Sequence, residues 1–277
     1  MAVPTQKRQA NMEALRIAAM FMVVILHYLS DSGALPESGR GLDGISAFAV
    51  TLESLCIVAV NAYVLLSGYF LSMTAFRWRR LLRLLLQVLF YTLLIPPALA
   101  ALGLIPASEL TDVYHIWNSV FPVQSGQYWF VTAYVILFLF SPLLNAALEK
   151  LEQRRLGGAI LGLLVFFCFG KSVSVLQFST DRYGYDFGWF LCLYLIGGYW
   201  RRYGIPFLSG KGRGLLVYLG SSAGSAGMEL ILTRLSAGIP QLSYYASVPF
   251  HYNFILCLTG AMGLFAAFLH TDVPEGK

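Results

Sequence analysis

The chain has 277 residues, of which 57% are hydrophobic and only 12% are charged, and its formal net charge is +5. A soluble globular domain carries about 25% charged residues, so this composition excludes an ordinary soluble protein and favours an integral membrane protein. The net positive charge does not indicate a nucleic-acid partner, because the basic residues form short clusters at the ends of apolar segments.

The apolar segments recur at about 20 residues each, the length that crosses ~30 Å of hydrocarbon at 1.5 Å per residue. They predict an all-α, polytopic transmembrane helix bundle of about eight spans, forming a single domain over residues 1–277. The predicted spans are 14–30, 46–72, 81–104, 128–148, 156–175, 188–200, 214–235 and 248–270. The sixth is short, and no soluble domain fits between the spans.

The basic residues predict the orientation of the bundle. If the amino terminus is cytoplasmic, the inner segments hold most of the nineteen Lys and Arg residues, namely Lys7, Arg8, Arg16, Arg77, Arg79, Arg80, Arg83, Lys150, Arg154, Arg155, Arg201, Arg202, Lys211, Arg213 and Lys277. Only Arg40, Lys171, Arg182 and Arg234 remain for the outer side. The positive-inside rule therefore predicts a cytoplasmic amino terminus and a multi-pass protein of the cell membrane.

The first span carries two ionisable residues, Arg16 and His27, and lacks the small-residue cleavage site of a signal peptide. Eleven helical steps bring His27 within ~20° of the Arg16 direction, about 16 Å further along the same face. Separately, Arg16 at a span end and His27 in a protein core have ordinary structural explanations. Together on one face they indicate a functional site.

The second span contains Glu53, about two turns in from its outer end, and a face formed by Asn61, Leu65 and Gly68. Such a face is also typical of close helix packing. A carboxylate at the depth of Glu53 needs a partner such as a histidine, or else it stays protonated.

The third span begins with four arginines, Arg77, Arg79, Arg80 and Arg83, followed at helical spacing by Gln87 and Tyr91. Such a cluster can anchor the topology, and it also suits phosphate, which guanidinium groups bind with paired hydrogen bonds. On the outer side, Trp129 and His251 start the fourth and eighth spans, where an aromatic belt is an alternative explanation for Trp129.

The four cysteines lie singly in apolar runs, so we expect small core residues and no metal site. They are Cys56, Cys168, Cys192 and Cys257.

These segments together resemble acyltransferase family 3, which includes membrane O-acetyltransferases of cell-surface polysaccharides. The leading signature, an arginine, ten residues and a histidine, is matched by Arg16 and His27 and preceded by Asn11-Met12-Glu13. The second-span motif is matched from Val60-Asn61 through Ser67-Gly68-Tyr69-Phe70. Weaker matches are the arginine-rich entry of span three, Tyr128-Trp129-Phe130, Ser141-Pro142-Leu143-Leu144-Asn145, Trp189-Phe190, Tyr194 and Tyr199-Trp200-Arg201.

Two departures from the family pattern have consequences. Asn61 stands where many relatives have Asp, which moves the expected acidic partner to Glu53 or Asp31. Members typically have about ten spans of bilayer length, so a C-terminal truncation is expected here.

The resemblance implies an acyl donor, acetyl-coenzyme A or another acyl-CoA, as co-substrate without a permanently bound cofactor. It implies a surface glycan or lipid-linked sugar as acceptor, with membrane lipid around the bundle and no nucleic acid. In this mechanism His27 is the general base, Glu53 orients it and Arg16 steadies the donor, while Arg80, Arg83, Gln87 and Tyr91 bind the donor. The acceptor-side residues are Asn61, Ser67, Gly68, Trp129 and His251.

Three alternatives remain open at this stage. The acyl group passes either directly to the acceptor or through an acyl-histidine intermediate. A transporter or flippase of a polar solute could use the same ionisable residues as a relay, although no inverted repeat is visible. The chain could also be a non-catalytic membrane module of a fused protein.

Overall fold

A computed structural model describes residues 9–36, 42–126, 128–174 and 182–272. The predicted inner and outer cations Lys7, Arg8, Arg40 and Lys277 lie outside these ranges. Within them the chain is helical and has no strand. Helices α1 to α12 are Ala10–Ser32, Gly44–Cys56, Ala59–Leu71, Trp78–Ala101, Val113–Val120, Trp129–Lys150, Gln153–Leu164, Gly170–Ser174, Phe187–Tyr203, Lys211–Ser236, Ser243–Ser247 and Ile255–Leu269.

The helices confirm the predicted bundle. In the described ranges, seven helical stretches are long and apolar enough to cross a membrane. The predicted short sixth span is α9, which has 17 residues and is buried over most of its length. With α9 counted, the number of apolar helices agrees with the prediction of about eight spans.

Three predicted spans contain local irregularities that hydropathy does not report. The second consists of α2 and α3, which meet at Ile57 and Val58. In the fifth, a π-helical turn at Val165–Phe169 joins α7 to α8. In the last, the backbone is extended at His251 and at Phe254 before α12 begins. Backbone turns inside a membrane protein are tolerated where protein groups satisfy the freed hydrogen bonds.

Contacts between helix termini define two ends of the bundle. At the arginine-rich end, which carries Arg16, Arg80, Arg201 and Arg202, the side-chain amide of Asn11 donates to the carbonyls of Phe268 and Leu269, at 3.0 and 3.1 Å. At the same end, Arg202 at the end of α9 donates to the carbonyl of Ser72 after α3, at 3.2 Å. At the opposite end, the backbone N–H of Tyr252 donates to the carbonyl of Tyr183 at 3.0 Å. The amino end of α1 and the carboxyl ends of α3, α9 and α12 therefore lie at one end of the bundle.

The core lies between α3, α9 and α12, where Trp189, Phe190, Tyr194 and Phe265 are fully buried. The helix pairs α3–α9 and α10–α12 approach closely because glycine lets their backbones touch, as is common among membrane helices. A Cβ atom on Gly68 of α3 would overlap the backbone of Tyr194 in α9. By contrast, α4 buries little of its surface. Only 6% of its most apolar stretch lies inside the protein. The packed helices α3, α9 and α12 and the peripheral helix α4 thus all border the arginine-rich end.

Candidate functional site

Arg16 lies near the arginine-rich end of α1 and is held by its neighbours. Its guanidinium pairs with the carboxylate of Glu13, one turn earlier, and lies over the ring of Phe70 at 5.4 Å. Its backbone carbonyl accepts a hydrogen bond from the Tyr63 hydroxyl at 2.8 Å. Glu13 belongs to the Asn-x-Glu element, and its spacing of three residues from Arg16 is the sequence signal for this pair. The rest of the Arg16 side chain is half-buried and accessible.

His27 lies on the exposed face of α1, together with Met20 and Val24. This is the face it shares with Arg16, as the helical spacing predicts. Among the described residues, no hydrogen bond or ion pair holds its imidazole. Asp31 follows one turn later on the same helix and is also exposed. The imidazole is therefore open to a ligand, and the structure does not pair it with Glu53.

Glu53 in α2 is largely buried, and its electrostatic neighbours lie away from α1. Its carboxylate charge acts on Cys56, on Glu229 of α10 and on the phenols of Tyr185 and Tyr252. Within the described ranges its carboxylate has no hydrogen bond and no salt bridge. The ionisable neighbours of Glu53 are thus a thiol, a second acid and two phenols.

The arginines of α4 divide into two groups. Arg80 donates to the Thr74 hydroxyl at 3.3 Å. Arg83 and Gln87 line an open groove of about 440 Å³ with Arg79 and two leucines. Tyr91 continues along the helix and is 48% exposed, with its ring against Phe90. Guanidinium groups thus remain available on the outside of the bundle at the end where Arg16 lies.

A second cavity at the arginine-rich end is formed by the connection from α3 to α4 and by the ends of α6 and α9. It has a volume of about 580 Å³ and is lined in part by Thr74, Asn145 and Arg202. Next to it, Arg201 donates to the Tyr69 hydroxyl at 3.1 Å and lies over its ring at 4.9 Å. The sequence analysis assigned Arg201 and Arg202 no binding role, because two arginines at a span end are ordinary topology signals.

Asn61, Ser67 and Gly68 lie along α3 inside the bundle. The side chain of Asn61 is completely buried; its oxygen accepts from the Trp189 indole at 3.0 Å, and its amide donates to the Tyr252 carbonyl at 2.8 Å. Ser67 donates to the carbonyl of Tyr63 at 3.0 Å and lies 3.3 Å from the Tyr134 hydroxyl. Gly68 contacts α9. All three side-chain positions hold helices together in this structure.

An aromatic cluster covers the opposite end near Glu53. The Trp129 ring lies 4.4 Å from that of Tyr185 and stacks on Tyr252 at 5.6 Å between centroids. Burial raises the pKa of Tyr185 above its ordinary value, a hydrogen bond with Tyr252 lowers it, and the Glu53 carboxylate raises it. His251 is half-buried beside this cluster, with its ring 4.2 Å from that of Tyr183. The structure thus brings Trp129 and Glu53 to one region.

Glu229 is the residue that sequence reasoning missed. It lies on α10, is only 9% exposed, and its Oε2 atom is buried without a hydrogen-bond partner among the described residues. The available signal was a carboxylate in the middle of the predicted span 214–235, where ionisable groups are costly and functional. With Glu53 it makes two acidic residues on neighbouring helices.

The chain was also compared with known proteins. A family model described as an acyltransferase domain, that of acyltransferase family 3, matches residues 9–275. Comparisons with curated proteins and with solved structures gave no significant match. Because the family model covers nearly the whole chain, including α1 with Arg16 and His27, the chain belongs to acyltransferase family 3 and is a membrane acyltransferase.

Proposed function

We propose that this protein moves an acetyl group from cytoplasmic acetyl-coenzyme A to a hydroxyl of a cell-surface polysaccharide or lipid-linked sugar in the cell membrane. The observation that carries the proposal is the single face of α1 shared by Arg16 and His27. Eleven helical steps separate their Cα atoms by about 16 Å along the axis. This distance is comparable to the reach of a pantetheine arm, so the donor's phosphates can stay at one membrane face while its thioester meets His27.

The donor's phosphates bind at the arginine-rich end. Arg83 and its neighbours on α4 line an open groove, and Arg80 follows Arg79 of that groove and donates a hydrogen bond to Thr74. Guanidinium–phosphate bonds are short and charge-assisted, so two such groups supply both affinity and orientation. Arg16 steadies the entering donor, while Glu13 keeps its guanidinium over Phe70.

His27 acts as general base on the acceptor. Its neutral imidazole takes the proton of the acceptor hydroxyl as the oxygen attacks the thioester carbonyl. The carbon–sulfur bond then breaks, and the imidazolium returns the proton to the leaving thiolate, so coenzyme A departs as the free thiol. An acyl-histidine intermediate is the competing route. The open position of His27 on α1 supports contact with both substrates.

Asp31 and Glu53 are the two candidates for the carboxylate that orients His27. Asp31 lies one turn from His27 on the same helix. Glu53 was preferred from the sequence because of its depth, and its neighbours in the structure are Glu229 and two tyrosines. Comparing Asp31→Asn with Glu53→Gln in the transfer assay decides between them, because loss of an orienting carboxylate lowers kcat while the donor KM stays constant.

The test of the function uses purified protein in lipid nanodiscs with labelled acetyl-coenzyme A and a panel of surface glycans. Acceptor-dependent release of the free thiol, together with label on the glycan, is the expected result. Solute uptake into proteoliposomes without label transfer would instead support the transporter alternative. Absence of both activities would support a non-catalytic module.

A further inference from the structure

The short helix α5 turns its apolar residues outward and its polar residues inward. Val113, Trp117 and Val120 share one face at helical spacing and are 79%, 56% and 42% exposed. Asn118 and Ser119, on the other face, are the least exposed residues of the helix. A surface helix in water shows the reverse arrangement, with its polar face outward. The exposed face of α5 therefore indicates apolar surroundings.

A hydrogen bond fixes the depth of α5 along α4. The buried hydroxyl of Thr92 in α4 donates to the backbone carbonyl of Ser119 at 2.8 Å. Thr92 lies nine residues before Ala101, the last residue of α4. The contact is therefore about 13 Å from that end of the helix, measured along its axis. Because α4 is long and apolar enough to cross the bilayer, whose hydrocarbon is about 30 Å thick, α5 reaches the depth of the leaflet opposite the arginine-rich end.

The polar face of α5 lies inward for a reason that α4 supplies. Pro96 and Pro97 carry no N–H group, so the carbonyls of Thr92 and Leu93 lose their usual helical partners. These four residues line a cavity of about 290 Å³ together with polar residues of α5, namely His115, Asn118 and Ser119. Polar backbone at membrane depth is tolerated where protein groups surround it. The polar side of α5 is thus turned to α4, and its apolar side is left for the surroundings.

The composition of the segment agrees with contact to lipid. No Asp, Glu, Lys or Arg stands between Asp112, which caps α5, and Glu149 near the end of α6. Aromatic side chains are enriched where membrane proteins meet the lipid headgroups, and Trp117 on α5 is such a residue. At the same depth α4 exposes Leu94 by 52%. Because α4 and α5 pack side by side, the lipid that surrounds α4 also meets the exposed face of α5.

We propose that α5 is a lipid-embedded helix, whose face formed by Val113, Trp117 and Val120 is inserted into the leaflet opposite the arginine-rich end. The predicted spans leave residues 105–127 as a simple connection between the third and fourth spans. Inserting this face removes apolar surface from water, which is the driving force that holds amphipathic helices in a membrane interface. The proposal goes beyond acyl transfer and does not depend on it.

Spin labelling in lipid nanodiscs measures the surroundings of α5 directly. Nitroxides are attached to Val113→Cys and, separately, to Trp117→Cys. Leu94→Cys on α4 is the lipid reference, and Glu152→Cys, exposed at the start of α7, is the water reference. Oxygen concentrates in hydrocarbon, whereas a nickel chelate stays in water, so the ratio of their collision rates with the nitroxide reports the medium. The native cysteines of the chain are buried and should give little background.

We expect the oxygen-to-nickel ratio at Val113 and at Trp117 to be close to that at Leu94 and well above that at Glu152. A ratio like that of Glu152 at either position in folded protein places α5 in water and overturns the proposal. Val113 is 79% exposed, so its replacement opens no cavity, and it decides the question if Trp117→Cys folds poorly.

A nitroxide that neither reagent reaches would show that protein covers this face, which also overturns the proposal. Dilution with unlabelled protein then identifies the cover. If dilution removes the magnetic coupling between labels, a second copy of the chain lies on α5. If no coupling is present, another protein surface lies there.

Discussion

The indole N–H of Trp189 donates to the side-chain oxygen of Asn61 at 3.0 Å, and both side chains are fully buried. The amide of Asn61 donates in turn to the Tyr252 carbonyl at 2.8 Å, next to the extended backbone before α12. One amide thus joins α3, α9 and the entry of α12. It satisfies a donor and an acceptor that would otherwise be buried without partners.

Asn61→Asp should therefore destabilise the bundle, although Asp is the residue that the family resemblance leads one to expect there. A carboxylate keeps the acceptor for Trp189 but faces the Tyr252 carbonyl without a donor. We expect a loss of about 2 kcal/mol or more, read as a lower thermal midpoint by tryptophan fluorescence in detergent. Asn118→Asp on the peripheral helix α5 is the control and should change the midpoint little. An unchanged midpoint for Asn61→Asp would contradict this account.

Gly68→Ala should disrupt the contact between α3 and α9. A Cβ atom at this position would overlap the backbone of Tyr194, which cannot turn away as a side chain can. We expect a destabilisation of about 2 kcal/mol or more, because overpacking against a backbone forces the helices apart. Gly158→Ala in α7 is the control, since nothing lies near its added methyl group. The measurement is the yield and midpoint of both variants in the same detergent, and equal values would refute the close approach.

His27→Ala should remove acetyl transfer and leave the fold intact. The imidazole lies on an exposed face without protein partners among the described residues, so its loss opens no cavity. General-base catalysis supplies about 10²–10⁴ in rate, and we expect at least that loss in kcat. His270→Ala, which changes an exposed histidine just after α12, should retain activity. Near-normal turnover per folded molecule in His27→Ala would remove the central residue of the proposal.

The double substitution Arg80→Gln and Arg83→Gln should raise the donor KM and leave the acceptor KM nearly constant. Each guanidinium lost from a phosphate costs about 1.5–3 kcal/mol of binding. Initial rates at varied acetyl-coenzyme A give the comparison. Arg234→Gln, an exposed cation near the far end of α10, controls for net charge. A purely topological role predicts an unchanged donor KM in correctly inserted protein.

Labelling from outside the cell tests the orientation. Asp112→Cys, in the connection after α4, should react with an impermeant thiol reagent, and Lys211→Cys at the start of α10 should react only after permeabilisation. The positive-inside rule carries this expectation. The four native cysteines are buried and should give little background. The reverse pattern would show that the bundle is inverted.

The spans could be predicted from the sequence because each, apart from the short sixth, is a single apolar run of bilayer length, and the structure has helices at all of these positions. The shared face of Arg16 and His27 also follows from sequence, since it depends only on helical periodicity. These features are local, and neither requires knowledge of how the helices pack.

The surroundings of Glu53 could not be predicted in the same way. Its depth follows from counting residues, but the neighbour it faces depends on which helices pack against α2. The partner helix α10 is rich in serine and glycine, so its buried polar face, which includes Ser222 and Glu229, gives a weak hydropathy signal. Similarly, Asn61 looked like a ligand-side residue in the motif, whereas the structure shows it bonded within the core. Side-chain direction across a packed interface is a tertiary property.

The close approach of α3 and α9 fixes their register. Gly68 touches the backbone of Tyr194, and Gly197 in turn touches the backbone at Leu65 and Tyr69, so each helix supplies the glycine that the other requires. A ratchet of one helical turn, about 5.4 Å, would move both glycines out of their places and set larger side chains against backbone. Sliding of α3 along α9 is thus blocked in both directions. Arg201 and Arg202 at the end of α9 therefore keep a fixed axial position relative to the motif on α3.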